Sequence, residues 1–257
     1  MADPGEITED LFLDGRLRLR QPRRGHRAGH DALLLAASVP AQPGQRVVEF
    51  GAGVGAAGLA VARRVGGLDL ALVEIDPALA ELARLNAAGN GVAARVVELD
   101  VTMAAGEFSS AGLGPDSADS VLMNPPFNDP GRHRASPDPA RRAAHMATAD
   151  TLAAWVHAAR RVLRPGGTLA LIWRADGLAE VLAVLARGFG GVEVVPVHPD
   201  AASPAIRVLV RAVKGGRAPL LLHPALALGD GPGRDTAAAR AVLGGRTTLP
   251  LPRAAAD

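Results

Sequence analysis

The sequence predicts an α/β fold, a doubly wound and mostly parallel sheet with helices on both faces and an antiparallel strand pair at its end. Between residues 46 and 123, short β-branched runs alternate with helical stretches, the order that parallel crossovers require. The first run, Arg46-Val47-Val48-Glu49-Phe50, feeds Gly51, Gly53 and Gly55 and then Leu59, Ala60 and Val61, which reads as strand, tight turn and helix. Two late runs, Val192 to Val197 and Ile206 to Val213, have no helix between them and therefore close the sheet antiparallel.

The elements follow in order. Leu11-Phe12-Leu13, Asp14-Gly15 and Arg16 to Arg20 read as a hairpin whose second strand puts Leu on one face and Arg on the other. After the basic turn Arg23 to Arg27, Asp31 begins a leucine-rich helix that stops before Pro40. Past the glycines, Leu70 to Glu74 is a second strand, and Pro77 to Ala88 is a helix ended by Gly89-Asn90-Gly91. Arg95 to Leu99 is a third strand leading to Asp100, and Ser120 to Met123 is another apolar run. Asn128 to Asp150 reads as a connector too long and polar for an ordinary loop. A helix from about Thr151, with Leu152, Trp155, Val156, Ala159 and Val162 in period, ends at Pro165-Gly166-Gly167. Thr168 to Trp173 is a strand, and Leu178 to Leu185 a helix. Residues 215 to 257 are rich in Gly, Pro and Ala, with a strand at Leu220 to Leu222, a short helix near Thr236 to Leu243 and a tail expected to be mobile. The expected organisation is an N-terminal hairpin and helix (1–40), the α/β domain (41–215) and a C-terminal extension (216–257).

At 257 residues and 48% hydrophobic, the chain can bury a full core. Cysteine is absent, which removes disulfides, thiolate metal sites and cysteine nucleophiles together. With no signal-peptide pattern at its start and no apolar run approaching 18 residues, the expected location is the cytoplasm and no membrane partner is expected. Formal net charge is only +2, and Lys214 is the sole lysine. The arginine excess is explained by codon usage in a G- and C-rich genome, so the placement of the arginines is more informative than their number.

The most specific chemistry lies in Asn124-Pro125-Pro126-Phe127. Two prolines remove two backbone donors and end the strand. An Asn amide oxygen beside a free carbonyl can accept both protons of a planar NH2 group, turning the nitrogen lone pair toward an electrophile. Phe127 offers a face on which a flat substrate stacks. The glycine turn alone also fits a dinucleotide fingerprint, and Glu74, about 20 residues on, suits ribose hydroxyls in either case. Glu49, Asp100 and the Asn-Pro-Pro-Phe element separate the two, because a dehydrogenase needs a pyrophosphate seat rather than acidic strand ends.

With these residues the chain resembles the class I S-adenosylmethionine-dependent methyltransferases that carry an Asn-Pro-Pro-aromatic motif. That resemblance implies a seven-stranded Rossmann-like sheet and S-adenosylmethionine as cofactor. It makes Glu49, Gly51, Gly53 and Gly55 the contacts of the methionine end and Glu74 the ribose ligand. Asp100 takes the adenine amino group, Ile75 and Val101 flank the ring, and Asn124 reaches the cofactor as well as the substrate amine. Asp76 and Glu98 are neighbouring carboxylates that could exchange these roles. Within the class, the chain is more similar to the bacterial tRNA1(Val) (adenine-37) N6-methyltransferases, on Gly15 to Gln21, His30 to Ala36, the motif with the long loop behind it, and the tail around Leu220 to Gly231. By that resemblance Asp31 and its neighbours cover the cofactor, RNA and in particular tRNA is the partner, and Arg132, Arg134, Arg141 and Arg142 meet its phosphates. One departure is Asn128, where relatives often carry an aromatic residue. The implied reaction transfers a methyl group directly to adenine N6, with no metal and no covalent enzyme intermediate. Two alternatives keep the same amine grip: methylation of a protein glutamine at N5, and of an rRNA guanine at N2.

Overall fold

The alternation of Leu and Arg near the N-terminus forms the expected hairpin, β1 (Ile7–Phe12) paired antiparallel with β2 (Leu17–Pro22). The turn runs through Leu13, Asp14 and Gly15, all at positive φ. Leu17 and Leu19 are fully buried while Arg18 and Arg20 are exposed. The computed structural model describes residues 7–24, 27–126, 139–231 and 233–250, with backbone alone for 139–149.

Helix α1 (His30–Ser38) leads into β3 (Arg46–Phe50), α2 (Ala56–Val65), β4 (Asp69–Glu74), α3 (Pro77–Gly89), β5 (Ala94–Glu98), α4 (Ala105–Ser110) and β6 (Ala118–Met123). Next come α5 (Pro139–Val162), β7 (Leu163–Arg174), α6 (Leu178–Leu185), β8 (Phe189–Asp200) and β9 (Arg207–Lys214). The chain closes with β10 (Leu221–Leu222), β11 (Leu226–Gly231), β12 (Arg234–Asp235) and α7 (Ala237–Leu243). The main sheet runs β12-β11-β8-β9-β7-β6-β3-β4-β5, with β10 also paired to β8. Neighbours from β7 through β5 are parallel, and β9 is antiparallel to both β7 and β8.

The pleat explains the two core layers. In β4, Leu70 and Leu72 pack under α1 and α2, while Ala71 and Val73 face the layer of α5 and α6. Trp173, Phe50 and Phe108 are the largest fully buried side chains, and the Phe50 and Phe108 rings meet edge to face at 5.8 Å. Among the described residues no helix is long and apolar enough to cross a membrane.

Three details differ from what the sequence predicts. The main sheet has ten strands rather than seven: β3 to β9 are the seven of the class, and β10, β11 and β12 are added from the C-terminal segment. Leu226, Val242 and Leu249 of that segment are buried in the core. Second, α5 begins at Pro139, so half of the stretch expected as connector is helix. Proline is favoured at a first helical position and Ala140, Ala143, Ala144 and Ala147 are strong helix formers, but without an apolar stripe before Leu152 periodicity does not reveal that turn. Third, α5 stops at Val162 and β7 starts at once, the Pro165-Gly166-Gly167 turn lying within a break of register between β6 and β7. The short helix α4 carries no periodic signal in the sequence. Of the expected mobile tail, residues 251–257 lie outside the described residues.

Candidate functional site

The chain leaves β3 toward β4 and β5 on one side and returns to β6 on the other, so a crevice opens at the carboxyl ends of β3 and β6. There an open cleft is lined by Ala28 just before α1 and Ala32 in its first turn, Glu49, Gly51 and Gly53 from the end of β3, and Asn124 after β6. Of the residues singled out in the sequence, these four from β3 and β6 are brought together on one wall. Ala32, next to Asp31 in the segment His30 to Ala36, was singled out by the resemblance; Ala28 was not, since an alanine before a helix start gives no signal of a ligand.

Each glycine of the turn has a different reason. All three adopt positive φ. At Gly51 a Cβ would lie 2.4 Å from Cη2 of Trp155, so close packing of the ring against the backbone excludes any side chain. At Gly53 nothing stands within 4 Å, and the backbone is open to the cleft. At Gly55 a Cβ would meet Leu72 and Leu59 at 3.0 and 3.2 Å, which places it against the core. Gly55 is absent from the cleft wall, and its small size serves the entry into α2.

Two buried carboxylates hold this turn. Glu74 Oε2 accepts from the Gly53 N–H at 2.6 Å, and Oε1 accepts from the Asp76 N–H at 2.9 Å. Each oxygen keeps lone-pair capacity for a further donor. Glu49 Oε2 accepts from the Gly58 N–H at 2.7 Å. Burial pushes the Glu49 carboxyl up to about 8, the Gly58 and Ala57 N–H groups oppose the rise, and the charge of Glu74 adds to it. At neutral pH the Glu49 carboxyl is therefore mostly protonated, and a cation placed beside it would restore its charge.

Asn124 follows β6 at the edge of the cleft. Its Oδ1 is buried and has no hydrogen-bond partner among the described residues. An orphaned acceptor of this kind costs free energy unless a ligand satisfies it. Pro125 is buried and Pro126 exposed. Phe127, Arg132 and Arg134 lie outside the described residues; Arg141 and Arg142 fall on α5, with side chains outside them.

The remaining carboxylates sort by their partners. Asp76 caps α3, accepting from the Ala78 and Leu79 N–H groups at 2.8 and 3.2 Å. Glu98 is tied to Arg84 at 2.6 Å. Asp100 Oδ1 accepts from both the N–H and the hydroxyl of Thr102 at 2.8 Å. Ile75 is 61% exposed, an apolar face beside these strand ends, whereas Val101 is buried in the core. Glu74, Ile75, Asp100 and Val101 sit at the ends of β4 and β5, beyond the wall that carries Asn124. Asp31 pairs with Arg207 at 3.0 Å, which anchors the start of α1 to β9.

The sheet, with its antiparallel β9 and its acidic strand ends around a glycine turn, is that of a Rossmann-like methyltransferase. Residues 28–199 match the methyltransferase small domain family, and the chain belongs to that family. It is 31% identical over 183 residues to the tRNA1(Val) (adenine(37)-N6)-methyltransferase of Porphyromonas gingivalis, covering 68% of this chain and 69% of that one. It is 30% identical over 194 residues to the protein of the same name from Dickeya chrysanthemi, covering 74% of each. A crystal structure of a predicted O-methyltransferase from Agrobacterium tumefaciens matches with a TM-score of 0.71 and 32% identity, over 85% of this chain and 97% of that one.

Proposed function

We propose that this methyltransferase uses S-adenosylmethionine to methylate the exocyclic amino group of a nucleobase in RNA, adenine N6 in tRNA. The observation that carries it is the buried Asn124 Oδ1 at the edge of the cleft, without a hydrogen-bond partner among the described residues. An acceptor in that place suits an amine donor and leaves a hydroxyl substrate only half gripped. The names of the two sequence relatives support adenine N6 and tRNA.

The donor set fits the cofactor. Glu49 lies where it would receive the ammonium of the methionine end, the open backbone at Gly53 allows close approach, and Gly51 completes that wall. Glu74 would accept from the ribose hydroxyls, Asp100 from the adenine amino group, and Ile75 would cover a ring face. Val101 backs this region from the core, and Gly55 shapes the turn without touching the ligand. Ala28 just before α1 and Ala32 in its first turn cover the cleft. When bound, S-adenosylmethionine supplies an electrophilic methyl group on a sulfonium.

Asn124 Oδ1 and the Pro125 carbonyl accept the two amine protons, which directs the nitrogen lone pair at the methyl group. Phe127 stacks the flipped base. Once methylated, the nitrogen is cationic and sheds its proton to water, so no strong base is required. Arg132, Arg134, Arg141 and Arg142 bind phosphates of the RNA.

Mass spectrometry of nucleosides after incubating individual tRNAs with the protein and donor tests the assignment, with rRNA and a glutamine-containing peptide in parallel. N6-methyladenosine in a tRNA is expected. Methylation of the peptide alone would move the function to protein glutamine, and N2-methylguanosine in rRNA alone to the third reading. Neutralising the four arginines should flatten the salt dependence of RNA binding by about 0.7 to 0.9 in log-log slope for each phosphate no longer neutralised.

A further inference from the structure

Two asparagines on α3 grip the backbone of β2 as a neighbouring strand would. Asn86 Oδ1 accepts from the Arg20 N–H at 2.7 Å, and its Nδ2 donates to the Arg20 carbonyl at 3.0 Å. At the C-terminal cap of the helix, Asn90 Oδ1 accepts from the Arg18 N–H at 2.9 Å and its Nδ2 donates to the Arg18 carbonyl at 2.6 Å. The match is one of pitch. Four residues of helix rise about 6 Å and two residues of strand about 6.6 Å, so amides at i and i+4 meet alternate residues of β2.

The two asparagines differ in their third bond. Asn90 Nδ2 also donates to the carbonyl of Asn86, within its own helix, at 2.8 Å. Asn86 Nδ2 also donates to the carbonyl of Val54, at 3.0 Å. Val54 sits in the glycine turn, between Gly53, whose N–H is held by Glu74, and Gly55, whose N–H goes to the Ala52 carbonyl at 2.8 Å. Asn86 is 2% exposed, so no water can replace what its amide does.

We propose that Asn86 is a positioning residue for the glycine turn, fixing the Val54 carbonyl so that Gly53 presents its backbone to the cleft, and that it makes the order of this turn depend on the docked N-terminal hairpin. Its effect on the methyl donor rests on the cofactor assignment above. Its effect on the turn does not.

The matched pair Asn86→Ala and Asn90→Ala tests it in the full chain, since Asn90 holds the same hairpin without touching the turn. Amide hydrogen exchange of residues 53 to 58 is measured without ligand, and donor affinity by calorimetry. Asn86→Ala should speed that exchange about tenfold more than Asn90→Ala, raise the Kd for S-adenosylmethionine about tenfold, and raise its KM while kcat stays within about threefold. Asn90→Ala should lower Tm with Kd within about twofold. If Asn86→Ala does not fold, Asn86→Asp keeps the volume and the acceptor for the Arg20 N–H while losing the donor to the Val54 and Arg20 carbonyls, and the same turn exchange is expected. Equal exchange and equal Kd in the two variants, with only Tm lowered, would overturn the proposal. A wild type that does not bind S-adenosylmethionine would instead sink the cofactor assignment and leave the exchange comparison to decide the role of Asn86.

Discussion

Replacing Glu49 by glutamine should flatten the dependence of stability on pH. The Glu49 carboxyl titrates near 4.5 in an unfolded chain and at about 8 in the folded protein, with burial as the main cause. A folded pKa raised in this way contributes stability that is fully present below about 4.5 and is lost as pH rises through about 8, because the unfolded chain releases the proton first. At about 1.4 kcal/mol per pH unit the loss across that window approaches about 5 kcal/mol, and local relaxation around the charge brings the expected figure down to about 2 to 5 kcal/mol. Glutamine keeps an acceptor for the Gly58 N–H and carries no charge, so Glu49→Gln lacks this slope while all other groups titrate alike. Urea unfolding of both proteins between pH 5.5 and 8.5 measures the difference. Wild type should lose about 2 kcal/mol or more relative to the variant over that range. The same ionisation couples to the donor: near pH 6.5, binding an ammonium beside Glu49 should release about one proton in wild type and none in Glu49→Gln, read from calorimetry in buffers of different ionisation enthalpy. Parallel stability curves would refute the reasoning and show that Glu49 is already ionised in the empty cleft.

Three further outcomes are expected. Asn124→Ala should lower kcat by about 100-fold or more with donor affinity within about threefold, because a preorganised acceptor is removed only where the amine reacts; near-normal turnover on the true substrate would reduce the motif to a turn. Glu74→Ala should weaken donor binding by about 2 to 3 kcal/mol by calorimetry, since it removes both the proposed ribose acceptor and the tie to the Gly53 N–H. Gly51→Ala should cost at least about 2 kcal/mol of stability through the clash with Trp155, whereas Gly53→Ala should cost only about 1 kcal/mol of backbone strain while obstructing the cleft. Thermal melts and calorimetry separate these two, and equal stability losses would refute the distinct roles.

Sequence alone was enough for the class of fold and for the expectation of which strand ends would meet. Alternation of β-branched runs with helical stretches gives β3 to β9, because strand and helix bury their apolar faces at different periods and each period is visible locally. That Glu49, Gly51, Gly53 and Asn124 meet at one cleft was legible for a related reason: strand ends in a parallel sheet share one edge, so residues far apart in sequence converge once the strands are recognised. What the chain does not display is the partner of each group. Gly51 and Gly55 look alike in sequence, yet one is required by the Trp155 ring and the other by Leu72 and Leu59, and only packing distinguishes them. Asp76 caps α3 and Glu98 pairs with Arg84, partners that spacing alone does not reveal. The first turns of α5 escaped because helix propensity without an amphipathic stripe is a weak signal, and β11 and β12 because short edge strands take their order from the strand they pair with rather than from their own residues. The link from Arg20 through Asn86 to Val54 spans three separate elements and depends on a match between helix rise and strand rise. Tertiary structure alone decides such a link, since hydrogen bonds between distant segments exist only after the apolar faces have brought them together.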